Sequence, residues 1–119
     1  MSVKDVAAGL VDLVRQGNSD EAIQRYYSDD IVSIEAMGPN PESRGIEAIK
    51  GKSAWWRQNI EVHSAEVTGP YINGNQFAVG YKMDTTDKNS GKRSWMEEVG
   101  VYTVENDKIT EERFLYLTA

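Results

Sequence analysis

IEVHSAEVTGPYINGNQFAVGYKMDTT, residues 60–86, decides how this chain folds. Its apolar residues recur at every second position, most plainly at Phe77, Val79, Tyr81 and Met83, while Ala78, Gly80, Lys82 and Asp84 alternate with them. A period of two puts each set on its own face of a strand, so the larger set is expected to line the interior. Asn73-Gly74-Asn75 divides the stretch as a hairpin turn does. In the strand before that turn, about 60–68 and interrupted by Gly69-Pro70, the alternating set is Glu61, His63, Ala65 and Val67. Its apolar members predict that this set faces inward near its end.

The same period continues downstream. Residues 87–92 connect to a strand of about 93–104, and Glu105-Asn106-Asp107-Lys108 turns it into a last strand, Ile109 to Leu117. Consecutive antiparallel hairpins follow from this order. Upstream the period is helical. Val3, Val6, Ala7, Leu10, Val11 and Val14 form one face of a helix ending near Gly17. Asn18 reads as the N-cap of a second helix, with Glu21 three residues on in a variant of the capping box. That helix carries Ala22, Ile23, Tyr26 and Tyr27, and Asp29-Asp30 closes it. Ile31 to Ala36 is a short strand rich in β-branched residues. Gly38-Pro39-Asn40-Pro41 is a loop, and a third helix starts near Gly45, with Ile46, Ile49 and Trp56 on one face. Trp55 is left to a cavity mouth or a dimer contact.

The length, 119 residues, suits one domain spanning 1–119. A formal net charge of −6 repels phosphate backbones and argues against nucleic acid as a general partner. No stretch approaches the roughly 18 apolar residues of a membrane span, and the N-terminus lacks the basic-then-apolar pattern of a signal peptide. The absence of cysteine excludes a disulfide frame and a cysteine nucleophile. A cytoplasmic protein is the expectation. One histidine with scattered carboxylates offers no metal-ligand spacing, and no phosphate-cradling loop is present, so no cofactor is expected.

Several strings in this layout resemble the SnoaL-like branch of the NTF2-like superfamily. They are Tyr27-Ser28-Asp29-Asp30-Ile31-Val32, Arg44-Gly45-Ile46-Glu47-Ala48-Ile49, and Asp107-Lys108-Ile109 followed by Glu112-Arg113-Phe114. The resemblance covers nearly the whole chain. It implies an α+β cone, with three N-terminal helices packed on the concave face of a curved, mainly antiparallel sheet around a cavity. It also implies a homodimer paired through the sheet. The superfamily hosts isomerases, cyclases, dehydratases and proteins without catalysis, so function rests on the site.

Candidate site residues come from facing and from the resemblance. Trp56, Phe77, Val79, Tyr81 and Met83 are expected on the cavity wall. In the last strand, the two aromatics favour the set Glu112, Phe114 and Tyr116. The strand of 93–104 has one glutamate on each face, Glu97 and Glu98, and periodicity does not choose between them. Resemblance to the ketosteroid isomerases, anchored on Asp107-Lys108-Ile109, favours the Glu98 face. The same resemblance places Glu35 at the position of their general base. Glu35 shares parity with Ser33, which fits a water-facing pattern equally well. The oxyanion-binding tyrosine of those isomerases has no counterpart in Gly9-Leu10-Val11, and their second donor falls near Gly100. His63, the one histidine, can exchange a proton near neutral pH, or can serve as a satisfied rim residue.

These residues point to Glu35 as the group that moves a proton, with His63 and Glu98 polarising a carbonyl. The expected activity is isomerisation, cyclisation or dehydration of a small, mostly apolar carbonyl compound. A non-catalytic small-molecule-binding domain uses the same pocket, and a dimeric interaction module uses the sheet surface with Trp95 and Val101.

Overall fold

A computed structural model describes residues 2–116. The order is α1 (Val3–Arg15), α2 (Ser19–Tyr26), β1 (Tyr27–Ile34), β2 (Glu42–Arg44), α3 (Ile46–Asn59), β3 (Ile60–Asn73), β4 (Gln76–Asp87), β5 (Arg93–Glu105) and β6 (Lys108–Tyr116). Three helices thus cover a six-stranded sheet in the order β2-β1-β6-β5-β4-β3. Among the described residues no helix is long and apolar enough to cross a membrane. The expected last residue of the final strand, Leu117, lies outside the described residues.

A capping box starts α1. The Ser2 hydroxyl accepts from the Asp5 backbone N–H at 3.1 Å, and the Asp5 carboxylate accepts from the Ser2 N–H at 3.0 Å. The helix buries Val6, Ala7, Leu10, Val11 and Leu13. Asn18 does precede α2, but its side chain caps nothing and instead donates to Glu21 at 3.0 Å. The second helix also stops earlier than Asp29-Asp30 suggested. Tyr27 is already extended (φ −87°, ψ 138°) and pairs with Ile109 of β6. β1 and β6 run parallel, so the sheet is mixed rather than a simple run of hairpins. β2, a three-residue strand absent from the sequence reading, closes the edge by pairing antiparallel with β1.

β3 to β6 are the expected antiparallel hairpins. The β5–β6 turn puts Asn106 and Asp107 at φ 51° and 66°, the left-handed values that suit Asn and Asp in tight hairpins. β3 continues through Gly69-Pro70 with a shift of register rather than ending there. Gly69 has φ 109°, and a Cβ there would lie 2.9 Å from the Ala78 carbonyl oxygen, so only glycine fits this crossing.

A second shift in β3 changes which residues face inward. Val62 pairs with Thr85 and Ser64 with Asp84, leaving His63 as the extra residue of a bulge. Beyond the bulge Ala65 and Val67 face the same side as Met83 and Tyr81. Before it, Glu61 pairs with Thr86, on the outer side. The expectation of a single inward set Glu61, His63, Ala65 and Val67 therefore holds only for its second half. The core brings Val6, Ala7 and Leu10 of α1 together with Ile31, Phe77, Val79 and Ile109 of the sheet.

Candidate functional site

Beyond that core the helices and the concave face of the sheet enclose a pocket of about 710 Å³. α3 contributes Ile49, Lys52, Trp55 and Trp56, and the sheet contributes Tyr27, Glu35, Tyr81, Met83, Met96, Glu98, Tyr102, Glu112, Phe114 and Tyr116. Of the residues expected on the wall, Trp56, Tyr81, Met83, Phe114 and Tyr116 are there. Phe77 and Val79 face inward but are sealed in the core, because α1 closes over that end of β4. Trp55, 58% exposed, stands at the rim.

The carboxylates sort by strand parity. In β1 the inward set is Ile31 and Ser33, both 0% exposed, and Glu35 continues it into the pocket. In β5 the register, unbroken from Glu98 to Thr103, pairs Glu98 with Tyr81 on one side and with Tyr116 on the other, placing Glu98 inward and Glu97 outward. Glu112, 4% exposed, sits deeper on β6.

The three carboxyl groups have unlike surroundings. Glu35 is fully engaged: Lys52 Nζ lies 2.6 Å from its Oε1, and the Tyr116 hydroxyl donates to its Oε2 at 3.2 Å. Glu112 Oε1 accepts from the Tyr27 hydroxyl at 2.5 Å, and its Oε2 accepts from Ser33 Oγ at 3.1 Å. Ser33 Oγ in turn accepts from Lys52 Nζ at 2.8 Å. Burial raises the Glu112 carboxyl, and the Tyr27 hydrogen bond and the Lys52 charge oppose the rise. Glu98 has no such partner among the described residues. Burial first, then the charges of Glu35 and Glu112, push it up to about 7, against the pull of Lys52.

The Tyr81 and Tyr102 hydroxyls meet at 2.6 Å, and Tyr102 stacks on Phe77 with centroids 4.9 Å apart. Lys52 Nζ lies 5.8 Å from the Phe114 ring centre. Among the described residues no three His, Cys, Asp or Glu side chains converge as metal ligands would.

His63 does not join this site. The bulge turns it outward, where Nε2 meets Thr86 Oγ1 at 2.7 Å and Nδ1 lies 3.7 Å from Glu61. The expected trio of Glu35, His63 and Glu98 is thus a pair plus a residue on the other face. Gly9 and Gly100 supply no donor either. The Tyr26 hydroxyl leaves no room for a Cβ on Gly9, and Tyr102 crowds the place where one would stand on Gly100.

Lys52, Tyr27, Ser33 and Tyr102 were missed by sequence reasoning. A signal for Lys52 was present: it lies three residues after Ile49 and four before Trp56, so it interrupts the inward face of α3 with a charge.

The SnoaL-like domain model matches residues 1–116. The chain belongs to the SnoaL-like family. A Mesorhizobium loti protein of known structure, provisionally assigned as a SnoaL-like polyketide cyclase with carbohydrate phosphatase as a second designation, is 50% identical to this SnoaL-like domain. The match covers 98% of this chain and 100% of that one, with a TM-score of 0.94. A SnoaL-like protein from Jannaschia, also provisionally assigned as a polyketide cyclase, is 17% identical over 95% of this chain and 83% of its own, with a TM-score of 0.73. A Catenulispora acidiphila protein with a ketosteroid isomerase-like fold, solved with trimethylamine, is 18% identical over 90% of this chain and 81% of its own, with a TM-score of 0.71. The last two likenesses concern fold alone. No curated protein matches this SnoaL-like domain.

Proposed function

We propose that this SnoaL-like domain is an acid/base enzyme that works without a cofactor on a small, mostly apolar carbonyl compound, by isomerisation, cyclisation or dehydration. The observation that carries the reading is that two carboxyl groups share one pocket in opposite environments. Glu35 is held by Lys52 and Tyr116, while Glu98, between Tyr81 and Tyr116, has no hydrogen-bond or ion-pair partner among the described residues. Divergent environments around paired titratable groups separate the roles of acid and base. Glu98, at about 7, is matched to proton transfer at neutral pH. It is therefore the group that takes a proton from the carbon beside the carbonyl and returns it, a role the sequence had suggested for Glu35. The polyketide cyclase designation of the Mesorhizobium loti relative agrees with this chemistry.

The test is exchange of α-protons in D₂O, followed by proton NMR across a panel of apolar ketones and 1,3-diketones. Accelerated exchange that disappears in Glu98→Gln supports the enzyme. A compound that quenches the fluorescence of Trp55 and Trp56 but exchanges no faster than in buffer indicates a non-catalytic binding domain instead.

We also propose that two copies pair through the outer sheet face. Trp95, Val99 and Leu115 are exposed there, and Val99 and Leu115 are cross-strand neighbours. Sedimentation should give a dimer at micromolar concentration, and Trp95→Glu should give a monomer.

A further inference from the structure

Removing a proton beside a carbonyl leaves negative charge on the oxygen, and a pocket that catalyses this needs a donor aimed at that oxygen. The hydroxyls in this pocket are largely committed. Tyr27 donates to Glu112, Tyr116 donates to Glu35, and one of the Tyr81 and Tyr102 hydroxyls donates to the other deep in the wall. Lys52 is the one cationic side chain on the pocket lining among the described residues. An ammonium has three N–H groups. Here one goes to Glu35 Oε1 at 2.6 Å and one to Ser33 Oγ at 2.8 Å, which leaves the third without a hydrogen-bond partner among the described residues. The two bonds fix the head group between β1 and α3, and its side chain is still 31% exposed. Its charge also reaches Glu98, whose ionisation it favours.

We propose that Lys52 is the electrophile of this pocket, taking the negative charge that develops on the substrate oxygen, and that Ser33 and Glu112 are positioning residues that hold it there. This rests on the acid/base reading above and adds the group that reading lacks. In the step, the Glu98 carboxylate accepts the α-proton, and the C–H electron pair becomes the C=C bond of an enolate. The carbonyl π pair moves onto oxygen, where the free N–H of Lys52 meets it. The proton then returns from Glu98 to carbon. Nothing is oxidised and no co-reactant is needed.

Lys52 could instead serve only to neutralise Glu35, and a double variant separates the two roles. With a compound that wild type exchanges, Lys52→Met should lower kcat about 100-fold with KM little changed. Lys52→Met combined with Glu35→Gln removes both charges and should remain as slow as Lys52→Met. Recovery of the double variant to the rate of Glu35→Gln alone would overturn the proposal. Glu112→Gln should lower kcat less than Lys52→Met does, and near-UV circular dichroism should confirm that each variant is folded.

If wild type exchanges none of the panel, the acid/base reading fails by itself. Lys52 is then judged on an anion that needs no turnover, p-nitrophenolate, read by its absorbance. Bound to wild type it should ionise more readily than bound to Lys52→Met, with about tenfold more phenolate at a given pH. No difference dependent on Lys52, whether through equal titration or through lack of binding, overturns the proposal.

Discussion

Along β4 and β5 the inward positions run unbroken from Phe77 and Val79 at one end, through Tyr102 at the boundary, to Tyr81, Met83, Met96 and Glu98 at the other. At the first end the side chains share a sealed cluster with Val6, Ala7 and Leu10 of α1. At the second, α3 rests on β1, β2 and α2 rather than on β4 and β5, and the space left over is the pocket. The alternation along the strands is the same in both halves. Whether an inward residue becomes core or site depends on which helix covers it. In the closed half burial is matched by apolar contact and hydrogen bonds. In the open half Glu98 is half-buried with no hydrogen-bond or ion-pair partner among the described residues, and that mismatch gives it a usable proton.

Four measurements would sharpen or break this contrast. The largest effect is expected in the open half: Glu98→Gln should slow α-proton exchange about 10³-fold, equivalent to about 4 kcal/mol. In wild type the rate should rise as pH passes about 7 and level off above it. A limb near the ordinary value of 4.5 would show that the catalytic carboxyl is not raised by the pocket.

Next comes the closed half. Phe77→Ala removes a ring 1% exposed and leaves Tyr102 without its stacking partner. It should cost about 3–4 kcal/mol in denaturant unfolding. A loss under 1 kcal/mol would mean that this end is as loosely filled as the pocket.

The third prediction concerns stability in the open half and has the opposite sign. The folded-state value of Glu98 lies above its ordinary 4.5, so the folded state holds the proton more tightly than the unfolded chain. Stability from this group is therefore present below 4.5 and is lost as pH rises to about 7. Glu98→Gln should leave stability unchanged at acid pH and raise it by about 2 kcal/mol at pH 8. A destabilised variant at pH 8 would contradict the account of Glu98 as a half-buried acid without a partner among the described residues.

The smallest effect belongs to the outer face. His63→Ala should change exchange less than about twofold and stability by about 0.5 kcal/mol or less, since His63 meets Thr86 and Glu61 near the surface, with Asp84 within electrostatic reach. A loss comparable with that of Glu98→Gln would place His63 back in the chemistry.

Much of the open half was legible before the structure. Tyr81, Met83, Phe114 and Tyr116 followed from a period of two, and the Glu98 facing followed from family resemblance. The errors share a cause. β2 is three residues long, too short to show a period, and exists because β1 offers it an unpaired edge. Tyr27 reads as helix by spacing, yet it is extended because β6 and the Glu112 carboxylate wait for it 85 residues away. The outward turn of His63 depends on one extra residue in β3, a change that reverses facing without altering the alternating pattern upstream or downstream.

The sequence by itself determined the order of the helices and of every strand but β2, the antiparallel run from β3 to β6 and the inward alternation of β4, because these follow from local period and turn chemistry. Tertiary structure alone decided the parallel pairing of β1 with β6, the exclusion of His63 and the meeting of Lys52 with Glu35 and with Ser33, which donates to Glu112. The bulge in β3 sets the second, and the other two depend on groups from α3, β1 and β6 that approach one another only when the sheet curves around the helices. Burial then sets their charges, which no spacing along the chain encodes.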